Sequence, residues 1–176
     1  MTVVALPHDE VVLRDGTRVE VRPMHRTDAG RLVRFHRTLS PETIRLRFFT
    51  FHPELSPREL DRFTHVDHRD REALVAVVDD EIVAVARYDR QPDGASAEVA
   101  FVVADGWQGR GLGTALFRAL VERARAVGID RFVADTLADN RRMLKVFHHA
   151  GLPIAQRFED GLVQLTMELA RARMSP

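Results

Sequence analysis

The residues of this chain best arranged for chemistry are the glycines of AEVAFVVADGWQGRGLGTALFRAL, which fall between an apolar β-branched run and an amphipathic one. Gly109, Gly111 and Gly113 remove side chains where successive backbone N–H groups would open a helix. An anionic group can approach such donors closely and gains from the positive end of the helix dipole. A phosphate would sit well there. No Lys-Ser/Thr pair follows the glycines, as a P-loop requires, and the spacing is GxGxG, not the GxGxxG of a dinucleotide fold. Taken alone, the spacing also suits a tight strand-to-helix turn that holds no ligand. The pairs His65-x-x-His68 and His148-His149 have no third ligand pattern such as HExxH, so no metal is expected.

Positioning that loop requires a strand before it and a helix after it, and both are legible. AEVAFVV is rich in β-branched residues, and Leu112, Leu116, Leu120 and Val121 line one stripe of a helix running from Gly111 to Val127. Gly128 suits the left-handed stop just beyond it. Upstream, VVLRDGTRVEVRP alternates around Asp15-Gly16 and predicts an opening hairpin. Thr27 or Asp28, Ser40-Pro41 and Ser56-Pro57 predict three helix starts. EALVAVV, a turn at Asp79-Asp80 and EIVAVARYDR predict a second hairpin. Downstream come the strand RFVADTL, a short helix from Asn140 to His149 ending near Gly151, and a last hairpin around Asp160-Gly161. The order is that of one mixed α/β (α+β) unit without repeats or long linkers.

Composition narrows the function classes. At 176 residues the chain is long enough for one good core and too short for a second independent domain of ordinary size. Lys and Arg number 26 against 26 for Asp and Glu, so no global charge excess points to nucleic acid or an anionic membrane. Cysteine is absent, which removes disulfides, thiolate ligands and a cysteine nucleophile. MTVVALPHDEVV lacks the pattern of a cleaved leader, and no apolar run nears the ~20 residues of a spanning helix, so a cytoplasmic location is expected.

Gln108-Gly109-Arg110-Gly111-Leu112-Gly113 resembles the Q/R-x-x-G-x-G/A signature of GCN5-related N-acetyltransferases, and the similarity extends from about Val19 to Leu169. SPETIRLRFFTFHPELSPRELDRFTHVD and ADNRRMLKVFHHAG further resemble the catalytic domain of bacterial protein lysine acetyltransferases. The resemblance implies a mostly antiparallel sheet splayed at a parallel central pair, flanked by helices, with acetyl-CoA in the gap and no metal. It implies one acetyltransferase domain over residues 19–170, an N-terminal extension over 1–18 that begins the hairpin, and a tail over 171–176. Backbone groups of Phe101, Val102 and Val103 would pair with the pantetheine arm. The N–H groups of Gln108, Gly109, Arg110, Gly111, Leu112, Gly113 and Thr114 would take the pyrophosphate, and Asn140 would hold the arm from the other side. A protein substrate with an acceptor lysine is implied, acyl-CoA synthetases being known targets of such enzymes; the chain would be a free-standing version without their regulatory domain.

Lysine must lose a proton before its amine attacks a thioester, since its ordinary pKa is near 10.4. Glu98, at the start of AEVAFVV among small and apolar residues, is the expected general base, with burial raising its pKa. In similar protein acetyltransferases a glutamate at this strand position has that role; the bland alternative is a solvated carboxylate. His65 or His68 is the reserve base, and the N–H of Val102 or Val103 the expected oxyanion donor. Many relatives place an acidic tyrosine where this chain has Phe147, which cannot donate a proton and is expected to pack on the pantetheine. Arg45 and Arg47 beside Phe48, Phe49 and Phe51 suggest either a substrate entrance or an ordinary amphipathic helix. The competing functions are acetylation of a small amine, for which no acidic pocket is evident, and a non-catalytic acetyl-CoA-binding module, against which the retained Glu98 speaks.

Overall fold

The structure, a computed structural model, describes residues 9–169, so the tail at 171–176 and the first eight residues of the extension lie outside the described residues. The chain runs β1 (Asp9–Val12), β2 (Arg18–Pro23), α1 (Ala29–Thr38), α2 (Pro41–Phe48), α3 (Pro57–Thr64), β3 (Arg71–Val78), β4 (Glu81–Arg90) and β5 (Ser96–Val103). It continues with α4 (Leu112–Ala126), β6 (Arg131–Leu137), α5 (Arg141–His149), β7 (Ile154–Glu159) and β8 (Leu162–Glu168). All eight strands form one sheet in the order β1-β2-β3-β4-β5-β6-β8-β7, antiparallel except for β5 and β6. The expected splayed α/β architecture is therefore present.

Local chemistry explains most boundaries. The turns at Asp79-Asp80 and Asp160-Gly161 have positive φ at both residues, the backbone whose twist matches a two-residue hairpin. Ser40 accepts the N–H of Thr43, and Ser56 accepts that of Glu59 while Glu59 returns a bond to the Ser56 N–H; each cap contributes about 1 kcal/mol. At α1 the outcome differs from a simple cap. Asp28 precedes the helix, but its carboxylate is taken by both terminal nitrogens of Arg22, at 2.7 and 2.8 Å, and by the His25 N–H.

Two cores sandwich the sheet. On one face α4 lays Leu116, Phe117 and Leu120, all fully buried, against Ala84, Ala86 and Tyr88 of β4. On the other, Leu32 and Phe35 of α1 and Ile44 of α2 pack on Val75 and Val85. Strand alternation divides β5 between them: Val99 and Phe101 enter the α4 core, while Val102 faces the α1–α3 side. Among the described residues no helix is long and apolar enough to cross a membrane.

Candidate functional site

The centre of the sheet opens because β5 and β6 stay paired for only three residues, Ser96↔Arg131, Ala97↔Phe132 and Glu98↔Val133. Beyond Glu98, β5 keeps β4 as its partner and β6 keeps β8, so their facing edges carry no ladder. A cavity of about 650 Å³ is lined there by Phe101, Val102 and Val103 on one side and Asn140, Met143 and Val146 on the other. Ladder geometry sorts the β5 backbone. The Ala104 N–H donates to Val83, so the alternate groups, those of Val102, also turn toward β4, whereas those of Phe101 and Val103 point at the open edge. Val102 thus contributes its side chain to the cavity, and its N–H is committed to the sheet. The Val103 carbonyl already accepts the Gln108 side-chain amide at 2.9 Å.

The glycine loop closes one end. Gly109 and Gly111 have φ of +74° and +91°, and Gly111 stands at the N-cap of α4 with no side chain to offer the first turn. The N–H groups of Leu112, Gly113 and Thr114 are left for a ligand, beneath the positive helix end. Leu112 itself is core, 1% exposed. Gly113 has a packing reason: a Cβ there would lie 3.4 Å from Val146 and 3.6 Å from Phe101, so its absence lets α4 approach α5 and β5. The Arg110 guanidinium turns away from the cavity, bonding Asp15 and Thr17 of the β1–β2 turn and lying 4.4 Å over the Trp107 ring. Thr17 and Arg110 together hold the Asp15 carboxyl down to about 2.

Several lining groups were not legible in sequence. Arg14 comes from the opening hairpin and places Nε 3.8 Å from where a Gly111 Cβ would be. Arg142 donates to the side-chain Oε1 of Gln108, and the Gln108 Nε2 donates in turn to the Thr43 hydroxyl of α2. Asp105 accepts the N–H and hydroxyl of Ser40 and the hydroxyl of Thr43, at 2.6 to 3.0 Å, hanging α2 from the glycine loop. Burial acts to raise the Asp105 carboxyl, but the Ser40 and Thr43 bonds outweigh it and hold it below the usual range. The Ser-Pro signal announces the helix start, yet gives no hint of a partner 65 residues away.

Of the expected residues, Phe147 and Glu98 sit differently from their expectation. Asn140 is buried at the N-cap of α5, its Oδ1 accepting the Met143 N–H at 3.2 Å, which leaves the amide N–H as its available group on the cavity. Phe147 is 2% exposed and stands edge-on to Phe101 and Phe117 at 5.4 and 5.3 Å. It does not line the cavity; Val146 and Met143 do. Helical phase is the reason, since Phe147 lies on the α4-facing stripe of α5. Glu98 is exposed, so the burial expected for it is absent here. It marks the point where β5 and β6 part, and it acts electrostatically on Arg47 of α2. His65 and His68 pair with Asp61 and Glu72, each at 2.9 Å, and line neither this cavity nor a smaller one beside it. Among the described residues no three or more His, Cys, Asp or Glu cluster as a metal site.

The geometry has close counterparts. The model of the acetyltransferase (GNAT) family matches residues 38–152. An acetyltransferase of Pseudomonas aeruginosa is 34% identical over 162 residues, covering 90% of this chain and 87% of that protein. Acetyltransferase Pat of Mycolicibacterium smegmatis is also 34% identical, over 80% of this chain; this chain spans only 43% of that longer relative. The GNAT domain of S. lividans PAT superposes with a TM-score of 0.86 at 43% identity, covering 92% of this chain and 96% of that domain. A putative acetyltransferase of Salmonella typhimurium, solved with acetyl-CoA, shares the fold at TM-score 0.70 and 19% identity, over 90% of this chain and 97% of that one.

Proposed function

This chain belongs to the acetyltransferase (GNAT) family, and we propose that it moves an acetyl group from acetyl-CoA to the ε-amine of a lysine in a protein substrate. The observation that carries this reading is the unpaired edge of β5 running into an uncapped, glycine-opened helix. An extended, amide-bearing arm matches the edge, and a diphosphate matches the helix end. The backbone groups of Phe101 and Val103 would pair with the arm, the loop from Gln108 to Thr114 would take the diphosphate, and the Asn140 amide would donate from the far side. Arg14, Arg142 and Lys145 add positive charge around the phosphate-bearing end. Bound there, acetyl-CoA supplies an activated thioester.

The chain's own residues then have little covalent chemistry to do. Alignment of the amine with the carbonyl carbon supplies much of the rate. The lone pair of the neutral amine forms the new C–N bond as the C–S bond breaks, and the amine's proton passes to Glu98, directly or through water. An N–H on the open edge of β5, that of Phe101 or Val103, polarises the carbonyl. Phe147 has no proton to give the thiolate, a fairly good leaving group, so water or the acceptor's own proton serves. The resemblance of residues 40–67 and 138–151 to the catalytic domain of bacterial protein lysine acetyltransferases supports a protein acceptor over a small amine.

Titration calorimetry with acetyl-CoA and CoA tests the cofactor half, and a radiolabelled acetyl-transfer screen over a cell lysate and an amine panel tests the acceptor half. Binding together with labelled protein bands is expected. Absence of binding at millimolar ligand sinks the cofactor assignment, and label only in small amines sinks the protein substrate.

A further inference from the structure

A second, smaller cavity lies behind the first, and the two share Arg47, Phe101 and Val102 as a common wall. It is enclosed by α1, α2, α3 and the face of β4 and β5 opposite α4. Its volume is about 40 Å³, room for roughly two or three waters, which is the size of a carboxylate and too little for a side chain of any length. Almost all of its lining is apolar, including Leu32, Phe35, Phe63 and Val85. The cationic exceptions are two arginines.

Arg87 is 5% exposed, and its Nη2 has no hydrogen-bond partner. Its guanidinium lies 4.4 Å from the Phe63 ring centre, and its Nε is 3.5 Å from Asp89. That carboxylate is shared, because Arg62 and Arg71 also stand 3.5 Å from it. Arg47 lies over Phe48 at 4.8 Å and has no carboxylate within ion-pair distance among the described residues. Burial and the neighbouring Arg87 push Arg47 down to about 10, with Glu98 and Asp89 acting the other way. His36, also on the wall, has its Nε2 engaged with the His52 carbonyl at 2.7 Å. The cluster therefore sets Arg47, Arg62, Arg71 and Arg87 against Asp89 and Glu98. Burying an arginine with an unmet N–H is costly unless something satisfies it.

Strand register places this charge beside the proposed chemistry. Arg87 is opposite Ala100 and Asp89 opposite Glu98, so Arg87 and Glu98 are diagonal neighbours on one face, with Cβ atoms within about 7–8 Å. A group held by Arg87 and Arg47 would lie one or two residues from an amine presented to Glu98. Adjacent guanidinia repel an ammonium and attract a carboxylate.

We propose that the small cavity is an anion pocket on the acceptor side, in which Arg87 and Arg47 take a carboxylate carried close to the accepting amine. The acceptor class is then an amine with an acidic neighbour: a lysine flanked by Asp or Glu, or a free amino acid presenting its own carboxylate. This rests on the acetyl transfer proposed above.

The test uses two peptides identical except for Glu or Gln beside one lysine, and free lysine against cadaverine, which lacks the carboxylate. Each is measured for binding by calorimetry in the presence of CoA and for acetylation with acetyl-CoA. The Glu peptide is expected to bind and react about tenfold or more better than the Gln peptide, the scale of a charge-assisted hydrogen bond. That preference should shrink to within about threefold in Arg87→Met, while acetyl-CoA affinity is retained. Lysine over cadaverine without a peptide preference identifies the free amino acid as the source. Equal treatment of both pairs overturns the proposal, as does an Arg87→Met protein that loses activity on the Glu and Gln peptides alike. Discrimination in binding without transfer keeps the pocket and refutes the lysine transfer. Arg87→Met should fold, since replacing a poorly paired buried charge with an apolar side chain is often neutral or stabilising. Should it not, the half-buried Arg47→Gln reads the same preference, and Arg87→Lys, which keeps charge without the planar fork, should show an intermediate one.

Discussion

The glycine-loop wall and the arginine-lined wall of the central opening are built in different ways. The first comes from two short stretches, residues 101–114 and 139–149, and works largely through backbone donors at a helix end. The second assembles side chains from five separate elements, with Phe35 from α1, Arg47 from α2, Phe63 from α3, Arg87 from β4 and Val102 from β5. A site made of backbone tolerates variation in most side chains as long as chain geometry holds. A site made of long side chains changes with single substitutions. On the proposal above, acceptor choice would belong to the second kind of construction.

The largest effect is expected at Glu98, where β5 and β6 part. Glu98→Gln keeps shape but removes the proton acceptor, so turnover should fall on the order of 10² to 10⁴ near neutral pH with acetyl-CoA affinity unchanged. The deficit should shrink at high pH, where more lysine is already neutral. Rates followed from about pH 6 to 9.5 decide the matter; matching profiles for the two proteins would remove Glu98 from the mechanism and leave proton removal to solvent.

Gly111→Val attacks the glycine wall alone. A β-branched residue at φ +91° costs about 1–3 kcal/mol and distorts the donors that open α4. Acetyl-CoA affinity should drop at least about tenfold by calorimetry, accompanied by a lower melting temperature. An unaltered dissociation constant would reduce the loop to a plain turn.

Asp105→Asn cuts the strut between the walls. Its carboxyl is held below the ordinary range in the fold, so the stabilisation is present above the unfolded value near 4 and is lost as pH falls through the lower folded value. Because the residue is exposed, solvent screening keeps the effect under about 1 kcal/mol. The variant should be slightly less stable at pH 7 and converge on the wild type at acid pH. Its acceptor KM should rise more than its acetyl-CoA dissociation constant. A stability gap independent of pH would show that the Ser40 and Thr43 bonds do not depend on the charge.

Phe147→Tyr should do least. The ring lies in the α4 core behind the cavity wall, where a hydroxyl has no route to the thiolate, so turnover should stay within a few-fold in steady-state assays. A rise of about a hundredfold, the lower end of acid catalysis, would show that thiolate protonation limits the reaction and that the ring reaches the opening.

What the sequence determined by itself was whatever depends on neighbours along the chain. Ser40 and Ser56 announce their helices because a cap needs only the next three residues, and Asp160-Gly161 announces a turn because positive φ is a local demand. The glycine loop was legible for the same reason, since strand, turn and helix N-terminus follow one another without interruption. Tertiary structure alone decided which face each side chain serves. Val102 and Phe101 are adjacent in sequence, yet one has its N–H committed to β4 and the other has its own on the open edge, a difference set by register. Phe147 belongs to the core because of helical phase against α4, and Glu98 is exposed although Ala97 and Val99 beside it are buried, because strand alternation turns it to the opposite face. The meeting of Arg47 and Arg87 was invisible in the sequence, because 40 residues separate them and only the packing of α2 across β4 and β5 closes that distance.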